Sequence, residues 1–375
     1  MSRLAPAASV LDHHFGEGPP YTVGIEEEYM LLDPATFALV PGAEALLAAE
    51  ADTAFSAAAA PELFESLVEF HTGVCSDVPG AAAELRAIRR HAGAAAKAQE
   101  IALGSAGTHP FALFERESIM QRDRYKALID QLQYAGRREL IYGLHVHVAV
   151  ADPERAIRIV NALRAHLFEL VALSANSPFW RGAPTGFASC RHLIFSAFPR
   201  SGPPPEFRSY ADYAAVIGAL VEGGSIEDYT RTWWDVRPHP KFGTVEARVM
   251  DAVTDVEDAI ALAAYVQALV CRYDDERKPP PCHPVLAHEN KWRAARYGLD
   301  GTVVDTVTGG AVPIRTAIGR TLTELAPYAS VLGCERELAG VARILRDGNG
   351  ATRQLAAYAA GDDVRDVARS VVIAA

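Results

Sequence analysis

The stretch TVEARVM, Thr244–Met250, alternates between polar and apolar side chains. Strand periodicity sends Thr244, Glu246, Arg248 and Met250 to one face and Val245, Ala247 and Val249 to the other. YTVGIEEEYMLL, Tyr21–Leu32, likewise places Glu26 and Glu28 on one face of a strand. LIYGLHVHVAV, Leu140–Val150, sets His145 and His147 opposite Leu144, Val146 and Val148. PELFESLVEFHTGVC, Pro61–Cys75, predicts a less regular strand with Glu65, Leu67, Glu69 and His71 on one side. Strands with acids, imidazoles or a guanidinium on one face and aliphatics on the other suggest a single sheet. All-parallel sheets are covered on both faces, so this one is expected to be antiparallel or mixed, with helices under its apolar side.

Helical spacing predicts the rest of the framework. Gly80–Leu103 is alanine-rich, with Arg86, Arg89 and Arg90 expected on a solvated face. Glu117–Leu132 reads as a second helix. Asp152-Pro153 is a strong start signal for a long helix through about Asn176. Ser174–His192 is a long Ser-, Pro- and Gly-rich loop, of the kind usually kept for function in a compact domain. Further helices follow over Ser209–Glu222, Val256–Arg272 and the region after Pro313, broken by LRDGNGATRQ at Leu345–Gln354. No internal repeat or linker divides the chain. Residues 1–20 are read as an irregular lead-in and 21–375 as one α+β domain.

An acid and a guanidinium two residues apart on a strand face must be paired or solvated, since an unpaired buried ion costs several kcal/mol. Either Glu246 and Arg248 form an edge-strand ion pair, or they floor a cleft for charged ligands. The apolar WWDV run beside them favours the cleft. Glu26, Glu28, Glu69 and Glu246 cannot share one pocket as free anions, because like charges force some to protonate. A divalent cation resolves the conflict, and oxygen donors with an imidazole such as His147 suit Mg²⁺ or Mn²⁺. Arg237 and Arg248 beside it suggest phosphate shared with the metal. NKWRAARYG adds Lys291, Arg293 and Arg296 around Trp292 and Tyr297; this is either a phosphate- or carboxylate-binding face or a solvated basic one.

The chain has 375 residues, 50% of them hydrophobic, and a net charge of −11. That balance argues against a nucleic-acid partner, which needs a basic stripe. No apolar run is long enough to span a bilayer and no signal peptide is evident, so a cytoplasmic location is expected. Five scattered cysteines without a CxxC pair suggest reduced thiols. There is no GxxxxGK[ST], no GxGxxG after a strand, no HExxH and no GxSxG.

GIEEEY, GLHVHVAV, RPHPKFGTVEARVMD, NKWRAARYGLDG and LRDGNGATRQ, in this order, resemble the carboxylate–amine ligases of the glutamate–cysteine ligase type 2 family. The resemblance runs from about Tyr21 to the C-terminal helices. It implies a glutamine-synthetase-like fold, a curved, mainly antiparallel sheet forming a funnel with helices outside. It also implies ATP, Mg²⁺ or Mn²⁺, and ligation of a carboxylate, such as the glutamate side chain, to an amine such as cysteine through an acyl phosphate. Carried over by motif, Glu26, Glu28 and Glu246 are expected as metal ligands. His145 and His147 fall on the HVHV pattern, with His147 the better candidate for metal or phosphate. Arg248 is expected on phosphate or substrate. Ala149 stands where many members have Gly, which leaves the acceptor pocket open. The partners implied are small molecules, with a homo-oligomer left open. A guanidino-kinase-like phosphotransferase of related fold and a metal-dependent hydrolase are the alternatives.

Overall fold

A computed structural model describes residues 11–373 apart from 52, 54, 277 and 278. Half of the expected lead-in, residues 1–10, therefore lies outside the described residues, as does Lys278 before the Pro-rich segment.

The alternating stretches pair as strands of one sheet. They are β1 (Val23–Leu32), β2 (Ala59–Pro61), β3 (Leu67–His71), β4 (Ala102–Gly104), β5 (Gly143–Ala149), β6 (Val236–His239) and β7 (Thr244–Asp251). Their order is β6-β7-β5-β1-β3-β2, and β4 pairs with the far end of β1. Every ladder in this sheet is antiparallel. Short two-stranded ladders lie outside it, one of them parallel, between Ser201–Gly202 and Trp233–Trp234. The fold is α+β with a mainly antiparallel sheet.

One face of the sheet is aliphatic. Ile25, Val146, Val148, Val245 and Ala247 are fully excluded from solvent. They join a core with helices Val78–Ala98, Pro153–Leu163 and Val256–Asp275. Each such side chain contributes about 1.5–3 kcal/mol on burial. Val256–Asp275 is buried almost all round, as its run of Ala, Leu and Val demands. The start signal at Asp152 is used: its carboxylate accepts from Arg155 N at 2.9 Å. The helix it opens ends at Leu163, earlier than its pattern predicts. A 3-10 turn at Arg164–His166 intervenes before helix Leu167–Ser174. In that turn His166 bridges Glu169 and the Tyr273 hydroxyl, each at 2.7 Å.

Two side chains depart from the expected faces. Arg89 is buried, not solvated: Nε and Nη2 donate to Glu27, and Nη1 and Nη2 to the carbonyls of Thr254 and Val253. Met250 lies in the core. The register of β7 on β5 shifts between Ala247 and Met250, and the extra residue turns Met250 inward.

Candidate active site

The polar face gathers its chemistry by register. Glu26 on β1 stands opposite His145 on β5, and Glu28 opposite Glu69 on β3. Glu246 on β7 stands opposite both His147 on β5 and Arg237 on β6. Neighbouring strands thus present Glu26, Glu28, Glu69, His145 and Arg237 to a cleft of about 480 Å³, with His147 and Glu246 grouped behind Glu26. Glu62, Glu139, Arg191 and Trp233 complete its walls.

The donors fall into three linked groups: Glu26, His147 and Glu246; Glu26, Glu69 and His145; Glu28, Glu62 and Glu69. Within each, the ligand atoms lie within 4.8 Å of one another. Carboxylate oxygens with an occasional imidazole nitrogen suit Mg²⁺ or Mn²⁺. The buried Nε2 atoms of His145 and His147 have no hydrogen-bond partner. His147 Nε2 lies 3.1 Å from Glu26 and 3.8 Å from Glu246, but not in hydrogen-bonding geometry. Its ring is held from the other side by the Thr244 hydroxyl, 2.9 Å from Nδ1. An oriented ring with a free nitrogen between two carboxylates is the arrangement of a metal-ligating histidine. The residues therefore fit a divalent cation.

Two arginines are tied to one acid. Glu246 accepts from Arg237 Nε at 2.7 Å and Nη2 at 3.3 Å, and from Arg248 Nη1. Arg237 also donates to the carbonyls of Thr230 and Thr232, so most of its fork is spent on the protein. Arg248 keeps a buried Nε without a partner among the described residues. Of the two, Arg248 has more donors to spare.

Charges tune one another across this face. Burial pushes Glu246 up, but Arg237, Arg248 and His147 outweigh it and hold its carboxyl well below the usual range. Burial likewise opposes ionisation of Glu26, and the two histidines prevail over it. Burial raises Glu69 well above the usual range, aided by Glu26, Glu62 and Glu28. Glu28 is pushed up to about 7 by burial and Glu62. Burial alone would depress His147, but Glu26 and Glu246 hold it above the ordinary histidine value. His145 is driven down to about 4 by burial and Arg248. Without a cation, Glu69 and Glu28 are pushed towards the protonated form, while Glu26 and Glu246 stay ionised.

The sequence profile of "Glutamate-cysteine ligase family 2 (GCS2)" matches residues 22–370. The chain belongs to this family. Family membership makes it an ATP-dependent ligase that forms a C–N bond and takes small-molecule substrates. Among relatives, "Putative glutamate--cysteine ligase 2-1" of Rubrobacter xylanophilus is 43% identical over 92% of this chain and 93% of its own. A family 2 relative from Gloeobacter violaceus is 39% identical over 90% of this chain and 92% of its own. The glutamate–cysteine ligase of Francisella tularensis, solved with AMP, shares the fold at a TM-score of 0.68. It is 14% identical, over 94% of this chain and 88% of that one. A bifunctional glutathione synthetase from Pasteurella multocida scores 0.64 at 16% identity, covering 94% of this chain and 52% of that one. Among the described residues, no helix is long and apolar enough to cross a membrane.

The glutamate–cysteine ligase pattern thus brings Glu26, Glu28, Glu69, His145, His147, Arg237, Glu246 and Arg248 to one place. The expectation for Lys291 and Arg293 is corrected. They lie on helix Pro284–Tyr297, away from the cleft. Lys291 is buried against Asp235, both carboxylate oxygens 2.6 Å from Nζ. Arg293 turns to Glu289 on its own helix at 2.6 Å and to Thr302. Glu65 also misses the cleft: it precedes β3, where its backbone carbonyl accepts from Gly42 and Ala43. Glu62 takes the expected place instead, from an irregular segment without periodicity to reveal it. Trp233 lines the cleft, whereas Trp234 packs in the core against Phe207 and Tyr213. The Ser174–His192 stretch is not a loose flap. It contains a small hairpin, and Ser177 and Ser189 bond Asp251 at 2.7 and 2.8 Å. At its end Arg191 enters the cleft wall, with Nε unpartnered.

Proposed function

We propose that the protein joins the side-chain carboxylate of glutamate to a small amine, cysteine among the candidates, through an acyl phosphate, with Mg²⁺ or Mn²⁺. The observation that carries this reading is the run of three linked groups, two acid–imidazole and one of acids alone, beside Arg248. A carboxylate does not react with an amine at neutral pH, because oxide is too poor a leaving group. Transfer of the γ-phosphoryl of ATP to the carboxylate makes phosphate the leaving group. Glu26, Glu28, Glu62, Glu69, His145, His147 and Glu246 would hold the divalent ions. When bound, these would neutralise phosphate charge. Arg248 adds a fixed donor aimed where negative charge develops. Glu246 and Arg237 keep that donor in place. Trp233, Phe195 and Phe198 on the cleft wall limit water, which would hydrolyse the intermediate. The deciding assay measures products with ATP, glutamate and a panel of amines. One ADP and one phosphate per amide supports the reading; AMP and pyrophosphate would refute the acyl phosphate.

Arg248→Lys keeps the charge but loses the planar fork. Lysine cannot both bond Glu246 and present a second donor in that plane, so kcat is expected to fall about a hundredfold. Wild-type kinetics in this variant would remove Arg248 from the chemistry.

Metal affinity is expected to depend on pH through His147. The imidazole must lose its proton to ligate, and its value lies above the ordinary one. Affinity for Mn²⁺ should therefore strengthen from pH 6 to 8, by roughly tenfold per unit per proton released. In the metal-free protein the sign is opposite: the raised value stabilises the fold at low pH, and this contribution fades as pH rises through it. Calorimetric Mn²⁺ titrations at the two pH values, with melting curves alongside, check both trends.

A further inference from the structure

The cleft holds a further acid that the proposed reaction has not used. Glu139 belongs to the same line of alternate residues as the histidines: Glu139, Ile141, Gly143, His145, His147. It lines the cleft and is only 8% exposed, yet neither carboxylate oxygen has a hydrogen-bond partner. Burial pushes its carboxyl up to about 8 and Glu28 adds to this, while Arg191 and Arg138 oppose it through charge, without a bond. Arg138 Nη2 instead donates to Ile194 O at 3.3 Å. Arg191 makes only long contacts, at 3.4 Å, to the carbonyls of Val249 and Arg248. A buried carboxyl that no donor satisfies keeps its proton until a donor or cation reaches it, so its partner is expected to come from outside the chain. Glu139 is absent from the three metal-type groups, which are complete without it. The wall it shares is partly apolar: Ile141, Phe195 and Phe198 form one cluster there.

We propose that Glu139 is the binding residue for the amine substrate, accepting hydrogen bonds from its cationic nitrogen while Ile141, Phe195 and Phe198 receive the carbon or sulfur substituent. The chemistry matches a small primary amine with a short apolar substituent. Glutamate, the proposed carboxylate substrate, has its two methylenes between charged groups and so presents no apolar end to that wall. The inference rests on the ligase reading for the role of the amine, but its core, an ammonium site, is tested by binding alone.

The experiment uses the full chain with Mg²⁺ and ADP, titrated calorimetrically with L-cysteine and separately with propylamine. Both should bind wild type. Glu139→Gln removes the charge at constant shape and should weaken both at least tenfold, while Kd for ATP and glutamate changes less than twofold. Glu139→Asp keeps the charge on a shorter arm and should recover part of the loss. The melting temperature of Glu139→Gln should hold or rise, because Glu139 makes no hydrogen bond that the glutamine would lose. Unchanged amine binding in Glu139→Gln, no amine binding by wild type, or a loss confined to glutamate would each overturn the assignment. Amine binding that depends on Glu139, in an enzyme that makes no amide with ADP release, would overturn the ligase reading and leave the amine site standing.

Discussion

Glu246→Gln is expected to cost at least about a hundredfold in turnover and to lower the melting temperature as well. The activity loss follows from its place in the first acid–imidazole group, opposite His147. The stability loss follows from its other role. Glu246 is 1% exposed and neutralises both Arg237 and Arg248. Glutamine leaves buried Arg237 without its counter-charge and part-buried Arg248 without its bonded acid, and breaking a buried pair in this way costs about 3–5 kcal/mol. The effect should appear in metal-free protein, which separates it from lost metal binding. Removing Arg237 as well, in Glu246→Gln/Arg237→Met, should recover part of the melting temperature and none of the activity. A variant as stable as wild type without metal would contradict the charge account. Wild-type turnover would contradict the site.

Gly350→Ala is expected to be among the most damaging substitutions outside the cleft. A Cβ at this position would lie 2.0 Å from Asn176 Oδ1 and 2.2 Å from its Cγ. Asn176 cannot yield. Its Nδ2 donates to Ser105 O, Ala252 O and Thr254 Oγ1, and its backbone N donates to Asp251. Gln354 donates to both of its oxygens at 2.8 Å. One methyl group therefore lifts helix Gly350–Gly361 off this junction, at a cost of roughly 4 kcal/mol or more. Thermal melting and soluble yield should both fall sharply, while molecules that fold keep the wild-type amine KM. An unchanged melting temperature would mean that the junction is looser than this geometry allows. Gly350 of LRDGNGATRQ is thus explained by close packing, and Gly348 by its φ of +91°.

The strands of the site were legible because their two faces meet different solvents. Alternation placed Glu26, Glu28, His145, His147, Glu246 and Arg248 together, since an aliphatic core on one side leaves the other for charge. The same reasoning failed at Met250, because a bulge changes parity without a mark in the sequence. It missed Glu62, which lies where no period runs. It could have reached Glu139 had the alternation been followed back from His145 past Gly143. Gly143 itself is needed for fit: a Cβ there would lie 2.6 Å from Arg191 Nη2 and 2.9 Å from His145 Nε2. Clustered cations on a helix gave the weakest signal. Lys291 and Arg293 stand two residues apart in sequence, but one points inward to a buried acid and the other along the surface. Spacing alone cannot say which acid a lysine will find.

The Glu27–Arg89 pair has a consequence for how the chain avoids error. β1 carries three glutamates in a row, so a shift of one residue against its neighbours would still look plausible locally. Such a slip would expose Glu27 to the cleft and thrust Glu26 and Glu28 among the aliphatics. Arg89 is set to receive one carboxylate and is already engaged by the Val253 and Thr254 carbonyls. A slipped strand would leave at least one anion stranded in hydrocarbon, at several kcal/mol. The buried arginine thus acts as a proofreader of strand alignment: it penalises the near-miss more than it rewards the native arrangement.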